Sequence, residues 1–131
     1  MGLEEVPLER VSRYGIVKGV EEADGRVFKL TDLVEKPSPD AAPSRLAIAG
    51  RYLLDPAIFG LLESQTPGVG GEIQLTDAIR RMIASQPHSA YAYVYPGKRQ
   101  DIGNPDGYFA ALEAFRTYSR QDIEKYGKIG I

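Results

Sequence analysis

Residues 16–30 read IVKGVEEADGRVFKL, two apolar segments on either side of the pair Asp24-Gly25. An Asp-Gly pair between alternating apolar residues is the strongest short-range signal for a β-hairpin, because both residues tolerate the positive φ angles of a tight turn. The sequence therefore predicts two antiparallel strands, over residues 13–20 and 26–35. The second strand must end before Pro37, since proline has no N–H to donate to a neighbouring strand.

Turn and helix signals divide the part of the chain that follows the hairpin. Three prolines indicate a loop over residues 37–43. Apolar residues 46–54 predict a strand that contains Gly50, which marks either a bulge or a place where a ligand approaches the backbone. Asp55-Pro56 then opens a short helix, because aspartate caps helix N-termini and proline fits the first helical position.

The second half of the chain continues the alternation of strands and helices. Apolar residues at helical spacing predict a helix over residues 73–85. Residues 91–95 alternate as a strand, and a short further strand is expected to reach Asp101. Asn104-Pro105 opens a final helix. This order indicates an α/β fold with a mixed sheet, hairpin strands and flanking helices, formed by residues 1–131 as a single domain.

The composition excludes several classes of protein. The 131 residues include 16 basic and 18 acidic side chains, for a formal net charge of −2, so neither nucleic acid nor an anionic membrane is an expected partner. No cysteine is present, which rules out disulfides and predicts a reducing, cytoplasmic location. No apolar run is long enough to span a membrane, and the acidic start is unlike a secretory signal.

A glycine-rich stretch, GGEIQLTD at residues 70–77, leads into the helix predicted over residues 73–85. Paired glycines let the backbone come close to another molecule, and the free N–H groups of a first helical turn can donate to ligand oxygens. Taken alone, the stretch has two interpretations. It is either a helix start that faces a ligand or an ordinary glycine-rich turn.

Glu35-Lys36-Pro37 places an acid and a base where the second hairpin strand must end. Open α/β sheets bind their ligands at strand ends. Adjacent residues on a strand point to opposite faces, so one side chain would turn away unless the backbone before Pro37 leaves the regular pleat. The pair is therefore either part of a ligand site or a solvated ion pair that ends an edge strand.

Two further positions have open interpretations. Asp101 follows a predicted strand, where its carboxylate could hold a hard cation such as Mg²⁺ or form a turn. Gly15 opens the first hairpin strand, where a missing side chain could expose the backbone to ligand hydroxyls or mark a bulge. The sequence has no P-loop, no dinucleotide-binding glycine turn and no nucleophile elbow, so those three kinds of site are excluded.

Five short motifs occur in a fixed order along nearly the whole chain: Ser12 to Val17, Val34 to Pro37, Ala49 to Tyr52, Gly70 to Asp77, and Asp101 to Gly103. Together with the final helix, they closely resemble the C-terminal half of bacterial UTP–glucose-1-phosphate uridylyltransferases, which belong to the sugar-phosphate nucleotidyltransferase superfamily. The segments GEIQLTD and SRYG favour the uridylyl branch. The resemblance implies the C-terminal part of a Rossmann-like nucleotidyltransferase fold.

The resemblance implies a sugar-phosphate site at the hairpin. The backbone at Gly15 and the carboxylate of Glu35 would bind glucose hydroxyls. Lys36 would meet the phosphate of glucose 1-phosphate and would act in catalysis, because its ammonium group neutralises charge while the sugar phosphate attacks the α-phosphorus of UTP.

The same resemblance assigns the remaining site residues. Ile48, Gly50 and Tyr52 would line the sugar pocket, and Glu72 would reach it from the start of the helix. Asp101 would be catalytic as one of two aspartates that hold Mg²⁺, the expected cofactor.

The N-terminal nucleotide-binding half of the family has no counterpart in the sequence. We therefore expect the acceptor half of a uridylyltransferase, which would make UDP-glucose and pyrophosphate together with the missing half and be inactive alone. An exposed apolar sheet edge and a homo-oligomer are also expected. The alternatives are a non-catalytic sugar-phosphate-binding or assembly module, and half of a thymidylyl or other sugar nucleotidyltransferase.

Overall fold

The predicted hairpin is part of a five-stranded sheet in the computed structural model, which describes residues 1–87, 89–97, 99–100 and 102–116. The strands are β1 (Gly2–Glu5), β2 (Gly15–Ala23), β3 (Val27–Glu35), β4 (Leu46–Ile48) and β5 (Tyr91–Val94). The α-helices are α1 (Ile58–Glu63), α2 (Leu75–Ser85) and α3 (Pro105–Arg116). Short 3₁₀ turns lie at Leu8–Arg13, Pro39–Ala41 and Val69–Gly71.

The hairpin of β2 and β3 is confirmed, and its turn lies at the predicted pair. Asp24 and Gly25 have φ angles of 57° and 65°, and the Arg26 amide donates to the Ala23 carbonyl oxygen at 3.2 Å. Two consecutive positive φ angles give the turn a twist that matches the flanking strands. β2 starts later than predicted because residues Leu8–Arg13 form a 3₁₀ turn, and it also ends later, at Ala23.

The sheet is mixed, as predicted, and it closes on itself in the order β1-β4-β2-β3-β5. Neighbouring strands are antiparallel except for β1 and β5, which run parallel. β1, which was not predicted from the sequence, completes the closure by pairing with β4 on one side and β5 on the other. Each strand of the described residues therefore has a partner on both sides, so no strand among them is a fully open edge, contrary to the expectation; β2 meets β4 only at Ile16.

Two predicted strands after the hairpin differ from the structure. The strand expected over residues 46–54 ends at Ile48. Gly50 has a φ angle of 72°, and this left-handed conformation takes the chain out of the extended path. No strand is present in the described residues between β5 and Asp101, and Asp101 itself lies outside the described residues.

Of the two predicted capping residues, Asn104 caps α3, whereas α1 begins only at Ile58, after Ala57, and has no side-chain cap. An Asp55 side-chain oxygen accepts from the Ala57 amide at 2.8 Å, just before α1, and Asn104 Oδ1 accepts from the Gly107 amide at 2.9 Å in the first turn of α3. α2 begins at Leu75, two residues later than predicted. In the described part of the chain, no helix is long and apolar enough to cross a membrane.

The main core packs the inner face of the sheet against α1 and α2. Burying a large aliphatic side chain stabilises a fold by about 1.5–3 kcal/mol, so this cluster supplies most of the energy that holds α2 against β3. The start of α2 is thereby fixed near the end of β3. The buried members of the cluster are Leu3, Val17, Leu30, Leu33, Ile48, Ile58, Ala78, Ile79, Ile83 and Ala92.

The chain divides into two compact units, Met1–Gly97 and Lys98–Ile131. The first unit contains the closed sheet with α1 and α2, and the second contains α3. The single domain expected over residues 1–131 stays a prediction.

Replacing Gly25 with alanine is expected to destabilise the chain by roughly 1 kcal/mol, because an L side chain is strained at a φ angle of 65°. Gly60 provides a control in which the same substitution should change the free energy of unfolding in the opposite direction. It lies inside α1 with open space around the position of a Cβ, so Gly60→Ala is expected to stabilise the chain by about 0.5–1 kcal/mol. Urea unfolding of both variants measures the difference, and equal effects would contradict the assigned turn.

Candidate functional site

The end of β3 brings Glu35 and Lys36 together. Lys36 has a φ angle of 46°, a left-handed conformation that is uncommon for a residue with a side chain. The backbone therefore leaves the regular pleat before Pro37, which was the condition for the two side chains to share one side. Lys36 Nζ lies 3.9 Å from Glu35 Oε1.

The two ionic groups differ in their exposure to solvent. The Glu35 side chain is 11% exposed, whereas the Lys36 side chain is 44% exposed. The Lys36 amide donates to the Tyr14 carbonyl oxygen at 3.0 Å, which fixes the backbone just beyond β3. The strand end therefore presents a recessed carboxylate next to an exposed ammonium group.

Gly15 lies opposite Glu35 in the sheet, and its missing side chain leaves room for three neighbouring groups. A Cβ at Gly15 would lie 3.0 Å from Glu35 Oε2, 3.0 Å from Ile48 Cδ1 and 3.1 Å from Thr76 Oγ1. The β2–β3 register is regular at Gly15 and shifts only after Lys18, so the alternative of a bulge at Gly15 is wrong. We name Gly15, Glu35, Ile48 and Thr76 the Gly15 cluster.

Thr76 is a member of the Gly15 cluster that the sequence analysis missed. Its hydroxyl donates to Glu35 Oε2 at 2.6 Å, and its side chain is buried. The residue belongs to the GGEIQLTD stretch that was singled out as a candidate ligand-facing segment, but that pattern alone did not distinguish it from its neighbours. The signal that could have found it is its place in the first turn of α2.

Tyr52 and Ile48 lie on the same side of the fold as Glu35. Ile48 belongs to the Gly15 cluster, and partial burial, followed by the negative charge of Glu35, raises the pKa of Tyr52 above its ordinary value of 10.0. The Tyr52 hydroxyl therefore stays protonated near neutral pH and can donate a hydrogen bond. Gly50 is exposed, and open space surrounds the position that a Cβ would take.

Glu72 is not part of the first turn of α2, contrary to the expectation. Its backbone is extended, its side chain is exposed, and its Oε2 accepts from Gln74 Nε2 at 3.4 Å. Gly70 and Gly71, with φ angles of 75° and 76°, adopt left-handed conformations in the turn before it. The assignment of Glu72 to a sugar pocket stays a prediction.

The predicted metal ligand Asp101 lies outside the described residues. Within the described part of the chain, no group of three or more histidine, cysteine, aspartate or glutamate residues could hold a metal ion. The Mg²⁺ site therefore stays a prediction that rests on the resemblance.

The chemistry of this strand end suits one kind of ligand. A carboxylate oxygen accepts hydrogen bonds from hydroxyl groups, and a lysine ammonium attracts an anionic group such as phosphate. The Gly15 cluster with Lys36 can therefore hold a molecule that carries both hydroxyls and a negative charge.

Changing Glu35 to glutamine is expected to lower the pKa of Tyr52 while leaving it above 10.0, because burial is the larger of the two causes. A raised pKa means that the neutral phenol is favoured in the folded chain. Its contribution to stability is thus complete below pH 10.0 and is lost as the pH rises through the raised pKa. NMR titration of labelled tyrosine measures the change, with Glu9→Gln as the control; an unaltered Tyr52 titration in Glu35→Gln would contradict it.

A family model described as nucleotidyl transferase matches residues 3–118, and with this fold the chain belongs to the nucleotidyl transferase family. A curated relative, the UTP–glucose-1-phosphate uridylyltransferase of Pseudomonas aeruginosa, is 42% identical over 128 residues, which are 98% of this chain and 43% of the relative. The enzyme of that name from Bacillus subtilis is 41% identical over 121 residues, 92% of this chain and 40% of the relative. The chain thus spans about two fifths of the length of these relatives.

Solved structures with the same fold carry related names. A UDP-glucose pyrophosphorylase complexed with UDP-glucose is 43% identical, with a TM-score of 0.81 over 88% of this chain and 42% of that one. A UTP-bound UGPase from Acinetobacter baumannii is 35% identical, with a TM-score of 0.73 over 98% of this chain and 44% of that one. The predicted nucleotidyltransferase-like α/β fold is confirmed.

Proposed function

We propose that the chain is the C-terminal, acceptor-binding half of a UTP–glucose-1-phosphate uridylyltransferase. The observation that carries the proposal is the Gly15 cluster with Lys36, a recessed hydroxyl acceptor next to an exposed cation. Glucose 1-phosphate has the matching groups, hydroxyls at one end and a phosphate at the other. The relatives of that name and the similarity to a pyrophosphorylase complexed with UDP-glucose support the same substrate.

In the proposed reaction, Glu35 and the backbone at Gly15 bind glucose hydroxyls, and Ile48, Gly50 and Tyr52 line the sugar pocket. Glu72 approaches the ligand from the loop before α2.

Lys36 holds the sugar phosphate in the same reaction. A phosphate oxygen attacks the α-phosphorus of UTP, the bond to the β-phosphate oxygen breaks, and pyrophosphate leaves with the electron pair. The Lys36 ammonium group lowers the barrier by neutralising negative charge on the attacking phosphate.

The remaining parts of the proposal concern groups beyond the described residues. Asp101 would supply a carboxylate oxygen, the ligand type that Mg²⁺ prefers, and the ion would neutralise charge on the nucleotide phosphates when bound. We also propose that the nucleotide-binding half is a partner, that the chain alone is inactive, and that the assembled protein is a cytoplasmic homo-oligomer.

The decisive experiment adds a nucleotide-binding half to the chain. The chain is mixed with the nucleotide-binding segment of a relative, and pyrophosphate release is followed with UTP and glucose 1-phosphate. We expect release that depends on both substrates and on both segments, and none from the chain alone. Replacing UTP with other nucleoside triphosphates, dTTP included, decides between the uridylyl and thymidylyl branches.

Two results would reject the catalytic proposal. The first is a folded mixture that binds UTP and glucose 1-phosphate but releases no pyrophosphate. In the second, the chain binds glucose 1-phosphate in a way that depends on Lys36, but no mixture binds UTP or shows activity. That result would favour a non-catalytic sugar-phosphate-binding module.

A further inference from the structure

We propose that Thr76 is a positioning residue for Glu35, and that its hydroxyl selects which carboxylate oxygen receives the sugar. Thr76 Oγ1 donates to Glu35 Oε2 at 2.6 Å. This bond holds Oε2 inside the Gly15 cluster and turns Oε1 toward the side of Lys36, where it can accept from a sugar hydroxyl. The inference rests on the proposed function, and it adds to that function a residue outside the set that the resemblance implies.

The burial of Thr76 indicates that the bond matters. The residue is 7% exposed, and it is the only polar residue that is buried as a whole among the described residues. A polar group is costly to bury unless it has a hydrogen-bond partner, and the same holds more strongly for a carboxylate. Thr76 and Glu35 satisfy each other within the Gly15 cluster.

The hydroxyl of Thr76 does not donate its hydrogen bond to the backbone of α2. A threonine in the first helical turn commonly bonds to nearby backbone, and Gln74, which precedes α2, makes no side-chain cap. The Thr76 hydroxyl instead joins a residue 41 positions away in the sequence. The bond therefore links the first turn of α2 to the end of β3.

The two Glu35 oxygens have different surroundings. Oε2 lies next to Thr76 Oγ1 and would be 3.0 Å from a Cβ at Gly15, inside the cluster. Oε1 lies 3.9 Å from the ammonium group of Lys36, whose side chain is 44% exposed. Oε1 is therefore on the side of the cation that would hold the sugar phosphate, and Thr76 keeps the carboxylate from rotating away.

The test compares Thr76→Val with Thr76→Ser in the full chain. Valine has nearly the shape of threonine without the hydroxyl, and serine keeps the hydroxyl. We expect Thr76→Val to weaken glucose 1-phosphate binding by roughly tenfold to a hundredfold, the effect of losing a hydrogen bond to a charged group. Thr76→Ser should restore most of the affinity, and UTP affinity in the mixture with the nucleotide-binding half should not change.

Two further measurements separate positioning from a structural role. The NMR chemical shift of the Glu35 carboxyl carbon, recorded without ligand, should move in Thr76→Val and return in Thr76→Ser. In a Glu35→Ala background, Thr76→Val should cause no further loss of affinity, because its effect passes through Glu35.

The possible outcomes are distinct. The role of Thr76 is overturned if a folded Thr76→Val chain binds glucose 1-phosphate with unchanged affinity. It is also overturned if Thr76→Val causes an equal further loss of affinity in the Glu35→Ala background. Both results leave the proposed function intact. If neither the unmodified chain nor its mixture with the nucleotide-binding half binds any sugar phosphate, both the proposed function and the role of Thr76 are overturned.

Discussion

Replacing Lys36 with glutamine is expected to lower the rate of pyrophosphate release, in the mixture with the nucleotide-binding half, by about a hundredfold to a thousandfold. The ammonium group is exposed at the end of β3, and the Glu35 carboxylate lies 3.9 Å from it. It is therefore available to a phosphate group. Glutamine keeps part of the length and polarity but removes the charge that would be neutralised during attack.

The matched control is Lys18→Gln, which removes an exposed lysine from β2. Its effect on the rate should be small, because exposed charges that do not touch the substrate act only through screened long-range fields. Equal losses in the two variants would show that net charge, and not the position of Lys36, determines the rate.

A second variant, Lys36→Gly, separates the backbone conformation from the charge. Glycine adopts a φ angle of 46° without strain, so this change should leave the free energy of unfolding the same or raise it by about 1 kcal/mol. The rate should nevertheless fall as far as in Lys36→Gln. A chain that is both destabilised and inactive would instead point to a structural role for the lysine.

Replacing Gly15 with valine is expected to abolish detectable glucose 1-phosphate binding and to destabilise the chain by roughly 1–3 kcal/mol, the usual cost of overpacking. A Cβ at this position would meet Glu35 Oε2, Ile48 Cδ1 and Thr76 Oγ1 at 3.0 to 3.1 Å, and valine adds two methyl groups to it. The Glu35 carboxylate must then move, and the Thr76 hydrogen bond would be lost. Gly15→Ala should have an intermediate effect.

Isothermal titration and urea unfolding measure the two effects in the same samples. Gly97→Val is the control, because open space surrounds the position of a Cβ in Gly97, and a change of less than about 0.5 kcal/mol is expected there. A Gly15→Val chain that is folded and binds glucose 1-phosphate as tightly as the unmodified chain would show that the Gly15 cluster is not the sugar site.

The parts of the fold that were predicted correctly are those with a local signal. The Asp24-Gly25 turn, the apolar period of α2 and the Asn104 cap each depend on the conformational preferences of a few adjacent residues. β1 has no such signal, because its four residues, GLEE, do not alternate between apolar and polar side chains. It is a strand because β4 and β5 pair with it.

The candidate site also has some residues that short motifs predicted and others that only the structure identified. The sequence identified Glu35, Lys36 and Gly15 through short motifs, and the structure brings Gly15 and Glu35 together with Ile48. The positive φ angle of Lys36 was only one of two possibilities, since a lysine before a proline is usually extended. Thr76 was not distinguished from its neighbours, because the Glu35 carboxylate to which it donates lies 41 residues away in the sequence.

Local sequence patterns alone predicted the hairpin, the helices, the α/β class and the motifs of the proposed sugar-phosphate site, because periodicity, turn chemistry and motif order are properties of neighbouring residues. The tertiary structure alone decided that the sheet closes through β1, that Glu35 and Lys36 lie on one side, and that Thr76 donates to Glu35. Each of these depends on packing: the hydrophobic core holds α2 against β3, and only that contact brings together two side chains 41 residues apart.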